Sequence, residues 1–274
     1  MPRLRDRIAV VTGASRGAGK GIALALGEEG ATVYVTGRSV RGGETTLGRP
    51  GTIDDTADEV TARGGTGIAF RCDHTDDTQV DALFERIRRD HGRIDVLVNN
   101  AWSGYELSPD PALAFWEIEW RHWDLMFDGG LRAAAYAARS AAPMMVEAGG
   151  GLIVNVTVVF DAPHGHAVYV VVKTAMNVLT EQLGEDLRPH NVAVVGVAPG
   201  WMRLERMNLT SEQAAQTESA EFPGRAIAAL ASDADVIHRS GGTFRTPDLA
   251  RDYGFTDVDG VRISPWWREV RRGE

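Results

Sequence analysis

One cysteine, Cys72, is all the thiol chemistry this 274-residue chain has. That excludes an internal disulfide and, with no second thiol, any Cys-x-x-Cys metal or redox pair. A reducing cytoplasm fits such usage. Basic residues are also short: 29 Lys and Arg stand against 38 Asp and Glu, a formal net charge of -9. Nonspecific attachment to nucleic acid or to an anionic membrane runs on clustered Lys and Arg, so neither is expected as a partner. Long apolar runs are missing too. The longest uncharged apolar tract, Gly149 to Phe160, is shorter than a membrane span, and Met1-Pro-Arg-Leu-Arg-Asp-Arg lacks the apolar stretch of a signal peptide. No His/Cys/Asp/Glu spacing has the pattern of a metal site, and Asp124 and Asp128 read as helix-face charges. A small molecule is the expected partner.

What is present is ordinary globular material, 43% hydrophobic and 24% charged, enough for one large domain over residues 1–274. Short β-branched runs alternate with amphipathic stretches. Strands are expected at Ile8–Thr12, Thr32–Thr36, Gly67–Cys72, Asp95–Asn99, Leu152–Thr157 and Val192–Ala198. Helices are expected at Gly21–Glu29, Ile53–Arg63, Val80–Asp90, Trp120–Glu147, Tyr169–Leu187 and Pro223–Ala231. Such alternation predicts an α/β fold with a doubly wound parallel sheet. Three stretches break the rhythm. Arg38–Gly51 holds four glycines and a proline and reads as a loop on the cofactor side, while Ser103–Glu119 and Leu204–Glu221 follow strand ends and read as lids over a ligand. Residues 246–274 form a C-terminal extension.

Between the first strand and its helix lies Thr12-Gly13-Ala14-Ser15-Arg16-Gly17-Ala18-Gly19. Glycines there permit a tight turn and close backbone approach to a pyrophosphate, and helix N-terminal amides face the phosphates. An NAD-binding unit would carry a carboxylate at the end of the second strand; Gly37 and Arg38 stand there instead, followed by Ser39. Arg38 and Arg16 suit a 2′-phosphate, with no carboxylate at the strand end to repel it. NADP(H) is the expected cofactor.

The chain resembles the short-chain dehydrogenase/reductase family over about residues 5 to 245. The motifs are the Gly-rich turn, Asn99-Asn100-Ala101, Tyr169-Val-Val-Val-Lys173 and Pro199-Gly200. Gly129-Gly-Leu-Arg132 and Leu152-Ile-Val-Asn155 look like one subgroup of it. The resemblance implies a single-domain Rossmann fold of about seven strands and a homo-oligomer, dimer or tetramer, built on the central and Tyr169 helices. It also implies Asp73 at the adenine, Asn100 and Ala101 along the adenosine ribose, and Pro199 and Gly200 at the nicotinamide. Tyr169 and Lys173, one helical turn apart, share a face. A lysine ammonium lowers a phenol pKa, and the resemblance has the same lysine hold the nicotinamide ribose.

The remaining site departs from the family. The serine expected about thirteen residues before the tyrosine is absent; Thr157, twelve before, keeps a hydroxyl, and a one-residue slip puts Val158 there instead. Gly130 stands where the family has an asparagine that helps hold a proton-relay water. Arg203-Leu204 replaces a threonine, and Trp102 a glycine. Thr157, Tyr169 and Lys173 are therefore the catalytic candidates, and Trp102, His164 and Trp201 the substrate-pocket candidates. Asp161 and His166 share the segment with His164. Trp116, Trp120 and Trp123 read as core or pocket wall, Trp266 and Trp267 as interface or pocket cover, and Arg203 beside the wall leaves room for an acidic group. The expected activity is hydride transfer between NADP(H) and a bulky apolar or aromatic carbonyl or alcohol; the alternative is an NADP(H) sensor with little turnover.

Overall fold

The computed structural model describes residues 3–107, 114–161, 166–204, 209–210, 213–214, 217–258 and 260–263. Seven parallel strands form the sheet: β1 (Ile8–Val11), β2 (Thr32–Gly37), β3 (Thr66–Arg71), β4 (Val96–Asn99), β5 (Gly151–Val156), β6 (Val192–Ala198) and β9 (Thr243–Arg245). Their order is β3-β2-β1-β4-β5-β6-β9. The order reverses between β1 and β4, and crevices at such reversals are where open α/β sheets take their ligands.

Strand alternation divides the core in two. Ala9 and Val11 of β1 face one apolar layer with Ala193, Val195 and Val197 of β6, packed by α1 (Gly17–Glu28), α2 (Ile53–Ala62), α7 (Phe222–Ser232) and α8 (Thr246–Tyr253). Ile8 and Val10, with Val192 and Val194, face the other, packed by α3 (Asp77–His91), α5 (Ala133–Glu147) and α6 (Ala167–Leu187). A strand covered on both faces reads as a continuous apolar run, as Ile8–Val11 does. Each fully buried Val, Leu or Ile contributes roughly 1.5–3 kcal/mol. Cys72 is a buried thiol of the second layer, pushed up to about 12 by burial.

Several expectations change. The helix expected at Trp120–Glu147 is α4 (Arg121–Met126), a π turn at Phe127–Arg132, then α5; Gly129 and Gly130 sit in the π turn. α1 begins at Gly17, because the last glycines of the turn are already helical. Leu204–Glu221 is not all lid: β8 (Glu218–Ser219) pairs in parallel with β7 (Met202–Arg203). The sheet has the seven strands the resemblance implies, but local pattern does not mark the seventh or α8, since Thr243–Arg245 is three residues long and carries no alternation signal.

Candidate active site

The cleft over the carboxyl ends of the strands measures about 480 Å³, within the size range of small-molecule sites. Of the sequence-predicted site residues that are described, all line it except Ser39. His164, Trp266 and Trp267 lie outside the described residues.

Gly13 takes φ +67°, and a Cβ there would lie 2.8 Å from the Ala101 Cα, so only glycine closes this turn. Asn100 then locks it: its Nδ2 donates to the carbonyls of Thr12 (2.9 Å) and Gly13 (3.1 Å). The amides of Asn100 and Ala101 both donate to Thr12 Oγ1 at 2.9 Å. The α1 cap residue, Arg16, makes no side-chain cap bond, and the first turn of the helix opens onto the cleft.

Arg16 is a clamp. Its guanidinium donates to the carbonyls of Pro50, Arg49 and Gly51 and to Ser39 Oγ, holding the Arg38–Gly51 loop against the turn. Ser39, 1% exposed, accepts from Arg16 and from the Thr46 amide, behind the cleft wall rather than in it. The expected use of Ser39 for a cofactor is corrected accordingly, while Arg16 lines the cleft and at the same time secures the loop. Arg38 does line the cleft, but carboxylates have come to it. Its Nη2 donates to Glu106 Oε1 at 2.5 Å, and Asp73 Oδ2 lies 3.8 Å from Nη1. Asp73 Oδ1 accepts from the Thr75 amide and hydroxyl in a local turn. Asp76, not Asp73, caps α3.

α6 presents Tyr169 and Lys173 to the same cleft one turn apart. His166 caps the helix, its Nδ1 accepting from the Tyr169 amide at 3.3 Å. Lys173 Nζ donates to the Val156 carbonyl at 3.1 Å and lies 4.4 Å from the centre of the Trp102 ring, a cation–π contact. Trp102 also meets the Tyr169 ring edge-on at 5.7 Å. Burial lowers Lys173 to about 8 and pushes Tyr169 well above its ordinary range, with Tyr105 adding to the rise. The sequence leads to the expectation of a lowered phenol; in the chain by itself, burial and Tyr105 raise it instead.

The departures from the family are physically linked. A Cβ at Gly130 would lie 2.6 Å from Trp102 Cζ3, so the indole occupies the space a side chain at 130 would need. Asn99, Gly130, Lys173 and the indole enclose a cavity of about 10 Å³. Asn99 Nδ2 donates to Asn155 Oδ1, whose own Nδ2 donates to Thr180 Oγ1.

Thr157 is 2% exposed, and its hydroxyl is engaged with α6, at 2.7 Å from Asn177 Oδ1 and 3.2 Å from the Lys173 carbonyl. Its proton points into the helix, away from the role of carbonyl donor, and Val158 beside it lines the cleft. Arg203 is likewise spent, on the carbonyls of Ala214 and Thr217 and on Asp257, so no acid-binding role follows from it. Asp161 pairs with Arg245 at 2.5 Å. Trp116 and Trp120 are 84% and 64% exposed and are not core; Trp120 stacks on Trp123, which packs against Met126, Val168 and Val172. Tyr105, Glu106 and His74 line the cleft without having been predicted, because only the fold brings their segments to it. Among the described residues no His/Cys/Asp/Glu group could hold a metal.

The family model for the short chain dehydrogenases matches residues 7–215. The chain belongs to this family. It is 35% identical to mouse dehydrogenase/reductase SDR family member 1, over 96% of this chain and 87% of that one, which agrees with the subgroup motifs. A solved structure described as a dehydrogenase from Xanthomonas campestris superposes with a TM-score of 0.81 at 26% identity, covering 96% and 95% of the two chains. Another, described as an NAD(P)-dependent gluconate 5-dehydrogenase from Beutenbergia cavernae, holds NADP at low occupancy. It shares 28% identity at a TM-score of 0.74, covering 90% and 97%. In this short-chain dehydrogenase/reductase the Gly-rich turn, Arg38 and the Tyr169–Lys173 pair line one cleft, a set that suits a nicotinamide nucleotide. No described helix is long and apolar enough to cross a membrane.

Proposed function

We propose that the chain is an NADP(H)-dependent oxidoreductase acting on a bulky apolar or aromatic carbonyl or alcohol. The observation that carries the reading is that Tyr169 and Lys173 open onto the same cleft as the Gly-rich turn. When bound, the nicotinamide supplies or accepts a hydride at its C4. The turn amides and the α1 N-terminus receive the pyrophosphate, where an anion is favoured. Arg38 takes the 2′-phosphate; Asp73, Asn100 and Ala101 border the adenosine; Pro199 and Gly200 border the nicotinamide.

Tyr169 exchanges the proton. Its raised pKa keeps it protonated at neutral pH, the state that donates to a developing alkoxide. Lys173, held by the Val156 carbonyl and the Trp102 face, has its remaining donors for ribose hydroxyls. With Val158 where a hydroxyl is common in the family, Tyr169 polarises the substrate oxygen alone, and Thr157 acts by fixing the middle of α6 to the end of β5. Trp102, Tyr105, Val158, Trp201 and Met202 give the substrate end an apolar wall. Exposed Val171 and Val178 on α6 suit a self-association face, and a cytoplasmic setting fits the lone buried thiol.

The same substitution at 158 favours a second reading, an NADP(H) sensor with little turnover. Fluorescence titration with NADPH and NADH, then NADPH oxidation with a panel of bulky ketones, aldehydes and quinones, separates the two. Tight NADPH binding with turnover supports the enzyme; tight binding without turnover over the panel supports the sensor. Preference for NADH removes the role given to Arg38.

A further inference from the structure

Glu106 belongs to a short turn after β4, its amide bonded to the Ser103 carbonyl at 2.9 Å. Ser103 is buried against Gly129, and Trp102 is packed on Tyr169 and Lys173, so the base of this turn is anchored at the catalytic end. From there Glu106 reaches the opposite end of the cleft and closes an ion pair with Arg38, with side chains only 20% and 33% exposed. Asp73 stands on the other side of the same guanidinium. The cation best placed for an anionic group thus already carries one carboxylate in contact and a second nearby.

We propose that Glu106 is the chain's own competitor for Arg38 and sets its choice between a 2′-phosphorylated and a 2′-hydroxylated adenosine. This inference rests on the reading of the cleft as a nicotinamide-nucleotide site. A 2′-phosphate brings up to two negative charges beside Arg38, and like charges brought together repel, so Glu106 must leave as the phosphate arrives. A 2′-hydroxyl is neutral and can donate to the Glu106 carboxylate, so it needs no displacement. Glu106 therefore weakens 2′-phosphate binding selectively and keeps the two nucleotide classes closer in affinity than Arg38 alone would.

The test uses two probes without a nicotinamide, 2′,5′-ADP and 5′-AMP, titrated calorimetrically into the full chain, Glu106→Gln and Arg38→Ala, with circular dichroism and thermal unfolding as fold checks. Glu106→Gln is expected to tighten 2′,5′-ADP about tenfold at low salt, to change 5′-AMP less than about twofold, and to lose the gain at high salt as the charges are screened. Arg38→Ala is expected to weaken 2′,5′-ADP and spare 5′-AMP. An unchanged 2′,5′-ADP affinity in Glu106→Gln, or an equal change for both probes, overturns the proposal while leaving the nucleotide site standing. Binding of neither probe to any of the three proteins removes the nucleotide site and this inference with it. Glu106→Ala repeats the comparison should the Gln variant fold poorly.

Discussion

At the scale of single residues, Trp102 and Gly130 behave as one feature. The indole covers Lys173, abuts Tyr169 and fills the volume a side chain on residue 130 would take. Gly130→Asn is therefore expected to destabilise by about 1–3 kcal/mol through overpacking. Adding Trp102→Gly is expected to recover part of that loss. Thermal unfolding of both single variants and the double variant gives the coupling energy; simple additivity would deny the contact. A second pair of substitutions separates the neighbours Thr157 and Val158. Thr157→Val leaves the partly buried Asn177 Oδ1 without its donor and should cost about 1 kcal/mol of stability. Val158→Ser places a hydroxyl on the cleft wall and should raise turnover by up to about 10², the scale of one carbonyl donor. A stability loss in the serine variant with no rate gain would contradict that assignment.

At the scale of elements, the β7–β8 pair carries an uncommon carboxyl. Glu218 is 1% exposed, and no side chain among the described residues hydrogen-bonds its oxygens. Burial raises it to about 8, an effect the nearby Gly200 amide only partly offsets. Because its folded pKa lies above its unfolded value, the folded state binds the extra proton between about 4.5 and about 8. Its contribution is full below the lower value and is lost as pH rises through the upper one. His74, lowered to about 4 by burial, acts in the opposite sense below 6.5, so the Glu218 effect stands clear between 6.5 and 8. Denaturant melts of the wild type and Glu218→Gln over that range should show a decline only in the wild type; parallel curves would place the charge elsewhere.

Elements also show how much was legible. The strands β1 to β6 were readable because each is an apolar run flanked by turn residues, and both faces of the sheet demand such runs. The long helix was misread as continuous because its apolar spacing persists across Phe127–Arg132, while the π turn answers to packing of Gly129 and Gly130 on Ser103 and Trp102. β9 and α8 gave no signal of their own length. The residues brought to the cleft by motif were found; Tyr105, Glu106 and the Arg16 clamp depend on contacts between distant segments, which no local spacing encodes.

For the whole molecule, two apolar layers hold the sheet rigid while the loops above its carboxyl ends carry the chemistry. The Gly-rich turn lies at one end of the cleft, on α1, and Tyr169 and Lys173 lie at the other, on α6, with the turn from Trp102 to Glu106 joining them. On the proposed function, Tyr169 transfers a proton in a cleft that binds the nucleotide independently of that hydroxyl. The most direct test measures NADPH affinity and single-turnover reduction in Tyr169→Phe beside the wild type, on a carbonyl that the wild type reduces. Affinity within about threefold and a rate lower by roughly 10²–10⁴ are expected; a rate within tenfold of the wild type, with affinity unchanged, would contradict proton transfer by Tyr169.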